Sequence, residues 1–509
     1  MTLAGLNTVN LSQLNTWQQF MLFVLIMMGS TVFVSAFVVH VRRNAFEDRF
    51  LSEIDLERRI RRRKTLLPLS RTLTRARTFS RPVTLQRDPE ANKLNGTPRL
   101  RNIPEQAEGT ESQELHHHFF TSGVLARNST FHHMSEDDRE RLGGIEYKAV
   151  RLLAWLVPAY FIAWQLLGCI GLGAYITNDR SAATRENGLN PWWTGAFNAV
   201  SAFNNSGMSL LDANMVAFQD SVYMLLSMSL FILAGNTCYP VFLRLIIWAM
   251  WRLCPNDARG RVDDFKCTLR FLLDHPRRVY TNLFPSRETW WLFATVIVLN
   301  GVDCAMFSIL NIGNKAITHL SPGIEFLDGL FQAFAVRSGG FYVVPIPSTR
   351  ISLQVLYVVM MYISVYPVVI TIRNSNVYEE RSLGIYADDP AGSPDTNHKH
   401  EKSYFVQQQL RAQLAHDLWW LVLAIWLITI IEGGQFERDP ADFSVFNVIF
   451  EVVSGYATVG ISVGVPNNAY SFSGSWHVLS KLILCAVMIR GRHRGLPVAI
   501  DKAVMLPRD

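Results

Sequence analysis

The chain has 509 residues, of which 49% are hydrophobic and 12% aromatic, and its formal net charge is +6. The apolar residues are concentrated in long runs with few charges, which argues against an ordinary soluble protein of several globular domains. The six cysteines form no CxxC pair, and no nucleotide-binding loop, catalytic dyad or metal-ligand cluster stands out. We therefore predict neither an enzyme nor a bound cofactor.

Seven apolar runs are predicted to cross a membrane, because a bilayer core of about 30 Å is crossed by a helix of about 20 apolar residues. Most of the runs reach this length and the last two are shorter; in chain order they are 15–40, 149–176, 219–251, 289–312, 352–372, 418–431 and 474–489. The alternative, a set of buried core helices in a large soluble protein, would require an improbable amount of surrounding polar protein. We therefore predict an all-α polytopic membrane protein.

The basic residues are confined to alternate segments between these runs. The segment 41–148 is rich in Arg and poor in large apolar residues, as in a disordered linker. The segment 252–278 and the C-terminal stretch are also basic, whereas 209–222 and 463–473 contain no Lys or Arg. Because cytoplasmic loops carry the excess of Lys and Arg, we predict a cytoplasmic C-terminus. We expect the 41–148 loop to bind anionic lipids or kinases rather than nucleic acid.

Three stretches of the chain share one pattern, a Phe followed by about two helical turns and then a small residue and Gly. They read "FNAVSAFNNSGMS" (197–209), "FQAFAVRSGGFYV" (331–343) and "FEVVSGYATVGIS" (450–462). The spacing from Phe to Gly is ten residues in the first and third and nine in the second, and each stretch lies between two apolar runs. Ala4-Gly5 matches the end of the pattern. We therefore predict three complete repeats and one partial repeat of a helix, half-helix, Gly loop and helix.

The repeats divide the chain into predicted units and loops. The boundaries are a partial first unit (1–40), the basic hydrophilic loop (41–148), a second unit (149–253), a cytoplasmic loop (254–287), a third unit (288–373), a cytoplasmic loop (374–415), and a fourth unit with a short cytoplasmic tail (416–509).

The Gly loops are typical of an ion filter. Non-helical backbone at membrane depth is tolerated only where it is buried in protein or lines a water-filled cavity. Four such loops around one axis would form a ring of carbonyl oxygens that can replace the hydration shell of a cation. Gly supplies the unusual backbone angles, and Thr458-Val459-Gly460 matches the opening of the TVGYG loop of potassium channels. The alternative, a close-packing Gly between helices, does not account for the repeated half-helix.

Several passages together resemble the Trk/Ktr/HKT superfamily of cation transporters, and most closely the fungal Trk potassium transporters. The passages are "AGLNTV" (4–9), "LGGIEYKAVRLL" (142–153), "SAFNNSGMSL" (201–210), "AGNTCYPVFLR" (234–244), "YISVYPVVITIRNSNVYEERSLGIY" (362–386), "FEVVSGYATVGISVG" (450–464) and "KLILCAVMIRGRHRGLP" (481–497). They cover nearly all of the chain outside the hydrophilic loop.

The resemblance implies a fold of four M1, pore helix and M2 units around one central cation pathway. It implies that the filter is formed by the residues Ala4, Gly5, Ser206, Gly207, Gly339, Gly340, Thr458, Val459 and Gly460. In plant relatives a Ser at the first filter position accompanies sodium preference, so Gly5 favours potassium.

The chain departs from the family pattern in two respects. The family has eight spanning helices, whereas this chain shows seven and begins inside the first filter segment, as expected of an N-terminally truncated form. The third filter segment carries Ser338-Gly339 where relatives usually carry Thr-Ala.

Ionisable residues in spanning segments are functional candidates because they are costly to bury. Lys481, in the last span, is expected either to face the pathway and tune cation passage or to form a structural pair with Glu451. Arg337 and Glu451, in the third and fourth half-helices, are expected to support the filter. Asp303, in the fifth span, is open to a packing role or an ionic one.

Pro367 lies in the third M2 region and is predicted to kink it, because Pro removes one helical hydrogen bond. In the family this helix is broken near its middle, so residues 359–367 are a gate candidate; an ordinary proline kink is the alternative.

The function predicted from these features is potassium uptake across the plasma membrane, driven by a voltage worth about 2.3 kcal/mol per charge for each 100 mV. The expected partners are the potassium ion, the lipid bilayer and a second copy of the chain. The alternative is a non-conducting truncated form that acts as an assembly or regulatory partner of a full-length transporter. A secondary transporter of another solute is disfavoured, because the repeat is fourfold rather than twofold.

Overall fold

The computed structural model describes residues 2–45, 136–255, 261–314, 317, 321–364, 366–372, 418–440, 442–466 and 468–493. Within this part of the chain the secondary structure is helical, apart from one isolated bridge between Val465 and Asn468. The prediction of an all-α protein is confirmed.

The longer helices are, in chain order, α1 (Thr16–Met28), α2 (Thr31–Ala45), α3 (Glu136–Asp179), α4 (Pro191–Phe203), α5 (Val222–Gly235), α6 (Tyr239–Leu253), α7 (Arg261–Asp274), α8 (Ser286–Leu310), α9 (Pro322–Phe334), α10 (Ile351–Ile363), α11 (Leu418–Ile431), α12 (Val445–Ala457) and α13 (Val478–His493). Shorter helical segments span Leu11–Gln13, Ser181–Arg185, Asn214–Phe218, Pro276–Val279, Ala335–Gly339, Ile346–Ser348, Gly433–Arg438 and Phe472–Ser475.

All seven predicted spanning runs contain helix. Among the described helices, three are long and apolar enough to cross a membrane alone: Ile145–Asp179 within α3, Ser286–Leu310, and Ile351–Ile372, which includes α10. The number becomes five if the bent pairs α1–α2 and α5–α6 each count as one span. The last two predicted runs form α11 and α13, which are shorter.

The outer surface of the spans is apolar, as expected of helices in contact with lipid. Large hydrophobic side chains are exposed along several of them, for example Trp155 (71% exposed), Leu167 (61%), Val298 (62%) and Trp426 (59%). An apolar surface of this extent marks a membrane-facing surface.

The structure corrects the prediction of continuous helices over 15–40 and 219–251. The first run bends by 57° between α1 and α2, and the second bends by 85° between α5 and α6. At the second bend the Phe203 carbonyl lies so close to Gly235 that a Cβ would clash. The helix breaks there and frees backbone carbonyls, one of which, on Ala234, accepts a 2.8 Å hydrogen bond from the Tyr160 hydroxyl.

Three described helices, α4, α9 and α12, are too short to span a membrane, and we call them the half-span helices. Each has 13 residues, or about 20 Å of helix. The α4 helix packs against α1, α3 and α5, the α9 helix against α5 and α8, and the α12 helix against α10 and α13. Most residues of α4 and α12 are buried, so these helices lie inside the bundle rather than against lipid.

Local sequence accounts for where two of these helices begin. Pro191 occupies the first turn of α4, and the Asn190 side chain accepts a 3.0 Å hydrogen bond from the Trp192 amide. The Ser444 hydroxyl accepts a 3.1 Å bond from the Asn447 amide at the start of α12.

Candidate functional site

Each half-span helix ends in a widened turn just before a glycine. An amide bonds to the carbonyl five residues earlier in all three cases: Ser206 to Ser201 (2.9 Å), Gly340 to Ala335 (3.0 Å) and Val459 to Ser454 (3.1 Å). The glycines that follow or close these turns have positive φ, as does the glycine near the N-terminus: Gly5 (75°), Gly207 (73°), Gly340 (73°) and Gly460 (93°). We call the segments around these residues the four glycine loops.

The third glycine loop follows a different path from the other three. In those three, the residue two places before the glycine is also left-handed, with φ near 54°: Leu3 (53°), Asn205 (54°) and Thr458 (54°). In the third loop, Ala335–Gly339 forms one π-helical turn instead. The amide nine residues after the motif Phe closes the widened turn in all three stretches, and in the third stretch, with its spacing of nine, that amide belongs to Gly340 itself rather than to the residue before the glycine.

The four glycines meet in a closed ring. A Cβ added to any one of them would meet the backbone of the next loop. Gly5 abuts the carbonyl oxygen of Ser206, and Gly340 abuts that of Val459. A Cβ on Gly207 would lie 3.0 Å from the Gly339 oxygen, and one on Gly460 would lie 2.5 Å from the Ala4 oxygen. The order of contact is therefore first to second, third, fourth and back to first, and there is no room in the ring for a side chain.

The residues at this ring are the ones that the sequence analysis assigned to a filter. Each of the four carbonyls in contact belongs to the residue just before a glycine, namely Ala4, Ser206, Gly339 and Val459. The half-span helices direct their C-terminal ends toward the ring, since each ends a few residues before a glycine. Because a helix C-terminus carries partial negative charge, this arrangement favours a cation.

A cavity of about 800 Å³ opens onto the ring, and we call it the mouth. All four glycines line it, together with polar residues that include Asn7, Ser209, Asn214, Gln354 and Ser462. Asp212 and Asp442 also line it, and among its described lining residues there is no Lys, Arg or His. The mouth is therefore a polar cavity of negative charge on one side of the ring.

Hydrogen bonds from α12 hold the fourth glycine loop. The Ser454 hydroxyl accepts a 3.2 Å bond from the Gly460 amide. Glu451 is fully buried; one carboxylate oxygen accepts a 2.6 Å bond from the Ser462 hydroxyl and the other a 2.9 Å bond from the Ser473 amide. Glu451 thus connects the half-span helix to two points of the chain that follows the fourth glycine loop, at Ser462 and at Ser473.

The third loop is held by a residue at the corresponding position. Gln332 follows the motif Phe as Glu451 does, and its side-chain oxygen accepts a 3.1 Å bond from the Val343 amide. A polar residue, Asn198, occupies this position in α4 and is buried. The sequence analysis missed this role for Gln332, although a polar residue after each motif Phe was a visible signal.

Arg337 lies in the π-helical turn before Gly340 and is 4% exposed. It interacts electrostatically with Asp303 of α8, although no ion pair within 4 Å joins the two among the described residues. Because Arg337 lies behind the ring and does not line the mouth, its position is compatible with the predicted support role.

Lys481 does not pair with Glu451. The Glu451 oxygens accept from Ser462 and Ser473, and no ion pair among the described residues joins Lys481 to Glu451, so the pair with Glu451 is not formed in the structure. Lys481 lies on α13 and is partly exposed, and its pathway role stays a prediction.

Arg492, a basic residue of α13 that the sequence analysis did not single out, contacts the first span. Its guanidinium donates a 2.6 Å hydrogen bond to the carbonyl of Gly29, at the bend between α1 and α2. The helix α10 ends at Ile363, and Pro367 lies in the described segment 366–372 that follows it. The kink at Pro367 and the gate role of residues 359–367 stay predictions.

The chain matches a family model and several known proteins over most of its length. The family model TrkH, described as a cation transport protein, matches residues 118–509. The chain is 42% identical over 417 residues to the low-affinity potassium transport protein of Saccharomyces cerevisiae, covering 76% of this chain and 46% of the relative. It is 40% identical over 390 residues to potassium transport protein 1 of Schizosaccharomyces pombe, covering 76% and 45%. A high-affinity potassium transport protein of S. cerevisiae is 37% identical over 437 residues, covering 76% and 35%. The chain thus matches less than half the length of these relatives.

Proposed function

Because the chain belongs to the TrkH family of cation transport proteins, we propose that it carries potassium ions into the cell across the plasma membrane. Its relatives in two yeasts are named potassium transport proteins, which supports potassium as the substrate. Members of this family are transport proteins and not enzymes. The described helices make the chain a multi-pass membrane protein.

The observation that carries the proposal is the closed ring of four glycine loops. A potassium ion entering from the mouth exchanges its water for the carbonyl oxygens of Ala4, Ser206, Gly339 and Val459. The C-terminal ends of α4, α9 and α12 lower the energy of the cation as it loses that water. All four ring positions are glycine, so the ring presents backbone oxygens and no side-chain group to the ion.

The basic end of α13 predicts the orientation of the protein in the membrane. Three basic residues, Arg490, Arg492 and His493, lie in the last turn of α13, at the opposite end of this helix from Ser471, which lines the mouth. Since basic ends lie in the cytoplasm, the mouth faces outward and the C-terminus inward. Inward movement of K⁺ is then driven by the inside-negative voltage, at about 2.3 kcal/mol per charge for each 100 mV.

Uptake by a yeast strain that lacks its own potassium uptake tests the proposal. Residues 1–509 are expressed, and growth at low potassium and ⁸⁶Rb⁺ uptake are measured. We expect rescue by the chain and loss of both signals in Gly207→Ala, because a Cβ there would lie 2.6 Å from the Gly340 Cα. Gly301→Ala is the matched control, since the space beside Gly301 in α8 is open.

Absence of growth and uptake with protein present at the membrane would contradict conduction by this chain. The non-conducting partner role would then be the better account. Equal uptake by Gly207→Ala and the parent chain would contradict the ring as the pathway.

A further inference from the structure

The segment that connects α7 to α8 is buried, although most connections between helices run over the surface. It comprises residues 275–285, and we call it the strap. Residues 276–280 are buried, as are Leu283 and Phe284. The strap therefore lies between other elements of the bundle, and its polar groups need partners there.

One side of the strap is bonded to α2, the second helix of the first bent pair. The hydroxyl oxygens of Tyr280 in the strap and Ser35 in α2 are 2.6 Å apart. The guanidinium of Arg42 donates a 2.8 Å hydrogen bond to the Val279 carbonyl and another to the carboxylate of Glu146 in α3. Because Ser35 and Arg42 are seven residues apart, or two helical turns, one face of α2 makes both contacts with the strap.

The other side of the strap is bonded to α6, the second helix of the second bent pair. The hydroxyl oxygens of Tyr239 and Tyr280 are 2.7 Å apart. Arg244 donates a 2.6 Å bond to the Phe284 carbonyl in the strap and a 3.1 Å bond to the Leu273 carbonyl at the end of α7. The strap is thus bound to the second helix of each bent pair, and Tyr280 contacts both helices.

The hydroxyls of Tyr239, Tyr280 and Ser35 form a chain of hydrogen bonds with one direction. The Ser35 hydroxyl donates to the Val32 carbonyl at 2.8 Å, and a hydroxyl has a single hydrogen. Ser35 therefore accepts from Tyr280, and Tyr280 accepts from Tyr239. Both tyrosines are only 2–3% exposed, which strengthens these bonds because the surroundings have a low dielectric constant. Removal of the Tyr280 hydroxyl would break both links at once.

The two bends lie next to the glycine loops. A Cβ on Gly29, at the first bend, would contact the side chain of Leu3 in the first glycine loop. At the second bend, Gly235 abuts the carbonyl of Phe203, the last residue of α4. The helices α2 and α6 follow these bends, and none of their residues lines the mouth. They therefore lead away from the ring and from the mouth.

We propose that Tyr280 is a positioning residue for transport, which holds α2 and α6 together as one body behind the ring. This role rests on the proposed function, because α2 and α6 then flank the route of the ion after it leaves the ring. Held together, the two helices keep this route aligned with the ring. Released from the strap, they move separately and narrow it. Tyr280 thus acts on the maximum rate of uptake and not on the choice of ion.

Uptake kinetics test this role in Tyr280→Phe, which loses the hydroxyl and keeps the aromatic side chain. We expect the maximum rate of ⁸⁶Rb⁺ uptake per molecule at the membrane to fall about three- to tenfold, because two buried hydrogen bonds are lost. The concentration for half-maximal uptake and the ratio of Rb⁺ to Na⁺ uptake should equal those of the parent chain.

Tyr175→Phe is the matched control. It removes another Tyr–Ser hydroxyl pair of 2.6 Å, between α3 and Ser221 at the start of α5, which does not involve the strap. An unchanged maximum rate in Tyr280→Phe, an equal fall in the control, or a changed ratio of Rb⁺ to Na⁺ uptake would overturn the proposal.

The thermal unfolding midpoint of the purified full chain separates the strap from the transport function. We expect Tyr239→Phe to lower the midpoint in the parent chain and to have no further effect in Tyr280→Phe, because the Tyr239 hydroxyl has lost its strap partner there. If the parent chain does not transport but shows this pattern, the strap stands as a link between the helices and the uptake function fails. Equal falls in both backgrounds would overturn the link whatever the uptake result.

Discussion

Asn7 and Ser471 join the first glycine loop to the chain that follows the fourth, although they are 464 residues apart in sequence. The Asn7 amide donates a 3.0 Å hydrogen bond to the Ser471 hydroxyl oxygen, and the Ser471 amide donates a 2.9 Å bond to the Asn7 carbonyl. The Ser471 hydroxyl donates in turn to the Asn7 side-chain oxygen at 2.9 Å. These bonds join the chain just after the first glycine loop to the chain that follows the fourth, so we expect them to support the contact between Gly460 and Ala4.

Ser471→Ala is expected to loosen this contact. The variant loses two hydrogen bonds, each worth about 1 kcal/mol, while both backbone segments stay in place. We expect the ratio of Rb⁺ to Na⁺ uptake to fall about three- to tenfold, with smaller loss of total cation uptake. Ser475→Ala is the control, because within the described part of the chain its hydroxyl bonds only to the nearby Phe472 carbonyl. A selectivity ratio equal to that of the control would show that this contact does not set the ring geometry.

Glu451→Ala is expected to destabilise the fourth glycine loop more than Glu451→Gln. Alanine leaves the Ser473 amide and the Ser462 hydroxyl without their acceptor, and the loss is about 1–3 kcal/mol for the buried Ser473 amide and smaller for the half-buried Ser462 hydroxyl. Glutamine keeps one acceptor oxygen of similar shape. The thermal midpoint of the purified protein and ⁸⁶Rb⁺ uptake should both fall in the order parent, Gln, Ala. Equal midpoints for the two variants would contradict the assigned hydrogen bonds.

Uptake at low external pH should depend on Asp442. Partial desolvation and the nearby Asp439 raise the pKa of the Asp442 carboxyl above its ordinary value. Asp442 therefore loses its charge at a higher pH than an ordinary Asp, near 3.9, would. As the external pH falls from about 6 toward 4, we expect the concentration for half-maximal uptake to rise, because the mouth loses the negative charge of Asp442.

The variant Asp442→Asn provides the comparison for this prediction. It should start from a higher half-maximal concentration at pH 6 and show a flatter dependence below that pH. An identical pH profile in the variant and the parent chain would rule out titration of Asp442 as the cause.

Arg492→Gln tests the contact at the bend of the first span. The change removes a charge-assisted hydrogen bond to the Gly29 carbonyl, worth about 1.5–3 kcal/mol. We expect a lower thermal midpoint and altered maximum uptake, with partial recovery in Arg492→Lys, which keeps a donor. Lys481→Gln, on the same helix, is the comparison. If only Lys481→Gln changes uptake, the basic residue that matters in α13 is Lys481.

Much of the ring could be predicted from sequence, because its requirements are local. A glycine with positive φ and a half-helix before it leave a repeated pattern of Phe, small residue and Gly. The nine-residue spacing in the third stretch was also visible in the sequence. The π-helical turn Ala335–Gly339 that accompanies this spacing could be seen only in the structure.

The long-range contacts could not be predicted from sequence. Asn7 with Ser471, and Arg492 with Gly29, join residues more than 460 positions apart, and nothing in either local sequence specifies the partner. The close approach of Phe203 to Gly235 is likewise a contact from another helix that the local sequence does not specify. The bend itself had a local signal that the prediction of one straight span did not use, because Gly235-Asn236 and Pro240 interrupt the apolar run. Lys481 was singled out for its place in an apolar run, while Arg492, near the chain end, was overlooked.

Anomalous scattering from Rb⁺ bound to the purified protein would test the central claim most directly. The account predicts a peak inside the ring, surrounded by the carbonyl oxygens of Ala4, Ser206, Gly339 and Val459 and absent in Gly207→Ala. A ring without a peak, while Rb⁺ sites are occupied elsewhere in the protein, would contradict the assignment of the four glycine loops as the cation filter.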